Sequence, residues 1–355
     1  MIDFRYHLVS IVAVFLALAI GIVLGSTELQ GHTIDVLQST SNGLKNSLNA
    51  ANAQHGSDQQ TISDDQQFLQ TAEPRLLNSE LNGSRLVIIT EPGAPGAVVD
   101  GITQAAGLAG ATVTGVVALQ PKFSDLSGTA ESSLSMINTL ANTSGTVLAV
   151  AADPATVYQQ DAAQLIATAI LDPSAAAASG SGLPAAEART LLAVYAQAGY
   201  LNVSDALAVS GAPAVRATLA VIVTGQTAPA DGGSDPASQV LLAVARQFAA
   251  GSAATIVVGS TAGSSPAGSA ISVLRSSSVA GQVSSVDNAD TTLGQISSIW
   301  ALANGEAGVK PNSYGISGAS SVSPVPLPEP TAAVTSTPTP RSTAKGKGTT
   351  SVKKK

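Results

Sequence analysis

Asp287 and Asp290 stand in the most distinctive polar cluster of the chain, Val286-Asp287-Asn288-Ala289-Asp290-Thr291. Two carboxylates offer oxygen ligands to a hard cation, but this spacing matches no EF-hand loop. The favoured reading is structural: Asp290 or Thr291 accepts hydrogen bonds from the free amides of a helix that begins near Thr292. A second place for chemistry is the run from Gly259 to Pro266, with Gly263 inside it. Backbone amides there suit a phosphate, yet the glycine spacing departs from dinucleotide and P-loop fingerprints and no Lys follows. A tight strand-to-helix turn is expected instead. Histidine narrows the remaining choices. His7, His32 and His55 all precede Ser84, and the chain has no Cys. The region after Ser84 therefore lacks Ser–His–Asp and Cys–His triads and His-based zinc hydrolysis. No carboxylate pair stands out for a hydrolase. The chain reads as a binding or scaffolding protein rather than an enzyme, with no cofactor.

The elements that position these residues follow from the texture after Ser84, where short apolar runs alternate with helix-like segments. Strands are expected at Leu86–Thr90, Ala111–Leu119, Thr146–Ala152, Ala217–Thr224, Ala254–Gly259 and near Gln282–Val286. Helices are expected at Ala97–Leu108, Ser127–Ala141, Gln160–Leu171, Pro184–Ala198, Pro236–Ala250, Ser269–Ser276 and Thr292–Asn304. Strands that are apolar throughout and alternate with helices indicate an α/β body with a mainly parallel, doubly wound sheet. It spans residues 83–322, long enough for a sizeable core. Ligands in such folds bind at the carboxyl ends of strands. The loops expected there are Glu91-Pro92-Gly93, Asp153-Pro154, Gly225-Gln226-Thr227 and the run from Gly259.

Ahead of this body lies Leu8–Gly25, 18 residues without a charge. Twelve of them are Leu, Ile, Val or Phe, which together favour membrane insertion by about 4–7 kcal/mol. Arg5 and His7 precede the stretch, Glu28 and Asp35 follow it, and the next basic residue is Lys45. The positive-inside rule then places the N-terminus in the cytoplasm and the remainder outside. A cleaved signal peptide is the alternative, but Leu24-Gly25-Ser26 is a poor cleavage site and an uncleaved anchor over residues 1–27 is expected. Ala13, Ala17, Gly21 and Gly25 fall four apart, on one helix face where two backbones approach closely in lipid.

Residues 28–82 form the stalk. Alternating steps of three and four from Ile34 pass through Leu37, Leu44, Leu48, Ala51, Ile62 and Leu69, with Ser41, His55, Asp58 and Asp65 as polar layers. This is the seam of a coiled coil over about Thr33–Ala72, and with the small-residue face it predicts a homodimer. Pro74 is expected to end or kink the helix. From Ser323 the chain is rich in Pro, Thr and Ser, and residues 323–355 are expected to be a disordered tail. Net charge is −7; Arg341, Lys345, Lys347, Lys353, Lys354 and Lys355 lie in the tail, and setting these six aside leaves ten basic against 23 acidic side chains, a net of −13. Such an acidic body gives no sign of nucleic-acid binding.

The opening Met1–Ser26, MIDFRYHLVSIVAVFLALAIGIVLGS, and the motif Val286–Thr291 resemble the actinobacterial copper transport protein B (MctB) family. The order of anchor, helical stalk and α/β body is similar too. The resemblance covers Met1 to about Gly318 and implies an envelope protein in copper homeostasis or export, with an outer-membrane channel proposed for the family. Related corynebacterial members resemble partners in cell separation that control a peptidoglycan hydrolase, which implies the alternative of a dimeric scaffold with cytoplasmic and cell-wall protein partners. Copper(I) prefers Cys, Met and His ligands. With Met1 and Met136 the only Met residues, no metal-site residue is expected and copper enters only as a transported species. One helix makes no pore, and the strands lack the alternation of an outer-membrane barrel, so a channel would require oligomerisation.

Overall fold

The computed structural model describes residues 4–175, 183–204, 216–225, 236–261, 269–316 and 325–328, without the side chains of 26–35. The chain divides into two units, Met1–Thr71 and Ala72–Lys355.

The first unit belongs to one helix, α1, which runs without interruption over Phe4–Leu76. Its first part, Phe4–Gly25, has a mean hydropathy of 2.9, and none of its side chains is buried. It is long and apolar enough to cross a membrane. At 1.5 Å per residue the portion before Ala72 is roughly 100 Å long. Polar i, i+4 pairs support its exposed surface: Gln54 donates to Asp58 at 2.8 Å and Gln60 to Asp64 at 2.9 Å. Pro74, expected to end or kink the helix, lies inside it, and α1 reads on to Leu76. Proline deletes one intrahelical donor, and only two residues of α1 follow it, so the loss falls in the final turn. Leu77 N–H then closes on Glu73 O at 2.9 Å.

The second unit is an α/β body around a sheet with seven strands among the described residues. Its strands are β1 (Arg85–Thr90), β2 (Thr112–Leu119), β3 (Leu201–Val203), β4 (Leu219–Val223), β5 (Ala254–Val258), β6 (Ser284–Val286) and β7 (Ser313–Tyr314). The order across the sheet is β3-β2-β1-β4-β5-β6-β7. All pairs are parallel except β2–β3, where Val117 faces Val203 and Leu119 faces Leu201 in antiparallel register. The order therefore reverses between β1 and β4.

Helices lie on both faces. On one side α2 (Gly96–Leu108) packs with α8 (Thr292–Glu306), over Leu86, Ile88, Val221 and Ile256. On the other, α3 (Gly128–Ala141), α4 (Val157–Ile170), α5 (Ala185–Gln197), α6 (Pro236–Gly251) and α7 (Ala270–Ser276) enclose a core with Val87, Ile89, Ala220, Ile222 and Val257. Burial on both faces is why the central strands are apolar at every position rather than at alternate ones. Within this layer Tyr195 Oη donates to Asn138 Oδ1 at 2.6 Å, and Asn138 Nδ2 donates to Tyr158 O at 2.9 Å.

Three expectations need correction. Thr146–Ala152 is not a strand of the sheet. The edge beside β2 is taken by β3, whose Leu201 is fully buried. The short β3 and β7 were not expected at all. Lastly, the tail does not begin at Ser323: Val325 is buried and Asn304 Nδ2 donates to Pro326 O at 2.9 Å, so Val325–Pro328 pack on the body. The rest of the expected tail lies outside the described residues.

Candidate functional site

In a sheet whose order reverses, the crevice at the carboxyl ends of the strands flanking the reversal is the place where ligands enter. Here that place lies beyond Thr90 of β1 and Val223 of β4. The buried carboxylate of Glu91 accepts Gly225 N–H through Oε2 at 3.1 Å, and Glu91 N–H is held by Val223 O at 2.9 Å. Gly225 has no side chain for a physical reason: a Cβ there would strike the carbonyl of Pro92. The chain thus joins its own two loops across the mouth of the crevice with a carboxylate–amide bond. Residues 226–235 lie outside the described residues.

The Val286–Thr291 motif forms the next part of the same edge. Asp287 is wholly buried and forms an ion pair with Arg275 of α7, Nη1 to Oδ2 at 2.8 Å. Arg275 also donates to Ser285 Oγ at 3.0 Å and to Tyr314 O at 2.6 Å. The second oxygen of Asp287 accepts Ile316 N–H at 2.7 Å. Gly315 has a φ of +124°, and any side chain there would collide with the Asp287 carboxylate. A single Asp–Arg pair therefore locks α7, β6 and β7 together. The composition of the motif did not reveal this role; the signal available was a lone acidic residue directly after a buried strand, which demands a cation nearby.

Its neighbours divide the remaining tasks. Thr291 is the N-cap of α8, its Oγ1 accepting Gly294 N–H at 3.1 Å. Asp290 does not cap that helix; its Oδ1 accepts both the N–H and the hydroxyl of Thr261 at 2.8 Å. The Thr261 amide within the Gly259 run thus already faces a carboxylate, which disfavours a phosphate at that point, and residues 262–268 lie outside the described residues. Asn288 is buried, and its Oδ1 has no hydrogen-bond partner among the described residues. Asp287 and Asp290 do not meet as a cation pair, since each is committed to different partners. Asp153, expected to follow a strand, instead caps a 3-10 turn through Ala155 N–H at 2.9 Å.

The remaining predicted residues lie on α1. Ala13, Ala17, Gly21 and Gly25 share its apolar portion, and the space around Gly21 and Gly25 is open. On the stalk, Leu37, Leu44, Leu48 and Ile62 are exposed at 51–73%, Ala51 is exposed and Leu69 half-buried. The side chain of Ile34 lies outside the described residues. Elsewhere, a groove of about 700 Å³ is lined by Ser79, Glu80, Asn82, Ser84, Glu306 and Pro328, among others. Ser84 Oγ lies 3.0 and 2.8 Å from the two Glu306 carboxylate oxygens, and burial pushes the Glu80 carboxyl above its ordinary range.

Soft-metal ligands are sparse in this arrangement. Met136 is the one Met of the body and is 64% exposed on α3; His7 and His55 are exposed on α1. Among the described residues no group of three or more His, Cys, Asp or Glu stands close enough to hold a metal ion.

Comparison with known proteins gives this architecture its context. The profile described as "Copper transport outer membrane protein, MctB" matches residues 1–324. Copper transporter MctB of Mycobacterium tuberculosis is 28% identical over 278 residues, which cover 78% of this chain and 83% of the relative. The same figures hold for copper transporter MctB of Mycobacterium bovis. Copper transporter MctB of Mycobacterium leprae is 30% identical over 129 residues, 36% of this chain and 41% of the relative. The names of these relatives concern copper transport, and nothing in them supports the cell-separation alternative. From the N-terminal apolar helix to the Val286–Thr291 motif, the chain belongs to the MctB family.

Proposed function

We propose that this protein is a single-pass, membrane-anchored component of copper homeostasis in the cell envelope, with Leu8–Gly25 in the membrane and the α/β body outside the cytoplasm. The observation that carries this reading is the family match over residues 1–324, which includes the apolar helix. Arg5 ahead of the span and acidic residues behind it support the orientation. Copper is cargo rather than a resident cofactor in this reading, because the body offers none of the Cys or His ligands that would hold copper(I).

A homodimer belongs to the same proposal. Ala13, Ala17, Gly21 and Gly25 form a close-approach face, and the exposed seam Leu37, Leu44, Leu48 and Ile62 continues along α1 as a coiled coil. We also read the sheet as doubly wound, supported by the reversal between β1 and β4 and by helices on both faces. A single span encloses no pore, so transport requires this self-association or partner proteins.

The test is a strain lacking the gene, grown across a copper series, with intracellular copper measured by mass spectrometry. Raised copper content and copper sensitivity, both reversed by the full chain, are the expected result. Unchanged copper content, with or without chained cells, refutes the proposal.

A further inference from the structure

The segment Thr146–Ala152 has the composition of a strand, TVLAVAA, but lies outside the sheet. Its backbone is held instead by two glutamines one turn apart on α4. Gln164 accepts Ala149 N–H at 2.8 Å and donates to Val147 O at 3.0 Å. Gln160 accepts Ala152 N–H at 3.0 Å and donates to Val150 O at 3.3 Å. Each amide brackets one residue, taking the C=O before it and the N–H after it. A neighbouring parallel strand makes the same pair of bonds. The residues so bracketed, Leu148 and Ala151, have no backbone hydrogen-bond partner among the described residues. Val147 and Val150 are 88% and 96% exposed, so covering them would remove apolar surface from water at a gain in free energy.

Unpaired backbone groups on a β-prone segment specify their own complement, another extended backbone. The charge around the segment narrows that complement. Between Lys122 and Arg189 the chain carries Asp125, Glu131, Asp153, Asp161, Asp172 and Glu187 and no basic residue, and of these Asp172 is ion-paired with Arg85. Glu131 lies on α3, Asp153 follows the segment directly, and Asp161 adjoins Gln160. A second copy would bring the same acidic surroundings to the edge and repel. We propose that Thr146–Ala152 is a docking edge for an extended, basic segment of a partner polypeptide, which pairs with it as an added strand. This inference stands apart from the copper reading.

The test uses the full-length protein in detergent micelles and a fluorescent eight-residue peptide of alternating threonine and valine with lysine at each end. Saturable anisotropy binding is expected. Methylating alternate peptide amides, which removes ladder donors while keeping side chains, weakens it by about tenfold. Replacing the lysines by glutamates, or Val150→Lys on the protein, weakens it as well; Val150 is solvent-exposed and its replacement leaves the fold intact. The proposal is overturned if no saturable binding occurs, or if the methylated or glutamate peptide binds as tightly as the parent. It is equally overturned if the peptide fails to bind while Val150→Lys abolishes self-association, because the edge then belongs to a second copy.

Discussion

Arg275 and Asp287 show how much a single pair carries. Their side chains are 4% and 0% exposed, and between them they reach Ser285, Tyr314 and Ile316. Replacing only one partner leaves an unpaired charge in the interior. Arg275→Leu is therefore expected to destabilise the body by about 3–5 kcal/mol in urea unfolding, and adding Asp287→Leu to it to recover part of the loss. A smaller penalty for the single variant than for the double would refute the assignment. Gly225→Ala acts differently, through backbone overlap with Pro92, and is expected to cost about 1–3 kcal/mol. Asp161 gives a pH-dependent case. Burial raises its carboxyl above the ordinary range, so folding favours the protonated form. The native state is then favoured most below the unfolded carboxyl pKa of about 3.9 and loses stability as pH rises through the folded value. Asp161→Asn should raise the melting temperature at neutral pH and bring no gain at pH 3.

Among the elements, Thr146–Ala152 and β3 exchange the roles that their sequences suggest. The first has six apolar residues after Thr146, whereas Leu201-Asn202-Val203 is too short to display any periodicity. Local composition records β-propensity but not which sheet edge is vacant, and that edge is decided by packing across α3, α4 and α5. The central strands were legible because burial on both faces makes them apolar throughout. Most helices of the body were legible because they span 13 to 16 residues between turn signals. Thr291 could be read as a cap from its position before Thr292, while the partner of Asp287 could not, since Arg275 reaches it only through the fold. The glutamines that replace strand pairing are testable on their own. Gln160→Leu with Gln164→Leu removes four hydrogen bonds to the segment. Amide exchange over Thr146–Ala152 should rise sharply, with a global loss of about 2–4 kcal/mol. Unchanged exchange would mean that other contacts hold the segment.

For the whole molecule, the two units make separable contributions. The span Phe4–Gly25 has no buried side chain, and the core of the body is built from residues after Ala72. A chain beginning at Ser26 should therefore keep the thermal transition of the body while partitioning into the soluble fraction. The copper proposal makes a further demand. If copper is cargo and the lone Met136 of the body does not hold copper(I), the soluble chain should bind copper(I) no better than a Met136→Leu variant of itself, and it should not restore copper tolerance to a strain lacking the gene. Pairing along α1 is tested in parallel by placing lysines at Leu44 and Leu48 in the full chain. These side chains are 73% and 60% exposed on the isolated helix, so charge there leaves the helix intact and disturbs only a partner. Loss of cross-linked dimer together with loss of copper tolerance would tie the function to self-association. Loss of the dimer with full tolerance would place copper handling in the single chain and its other partners, and the long exposed seam would then need a different occupant.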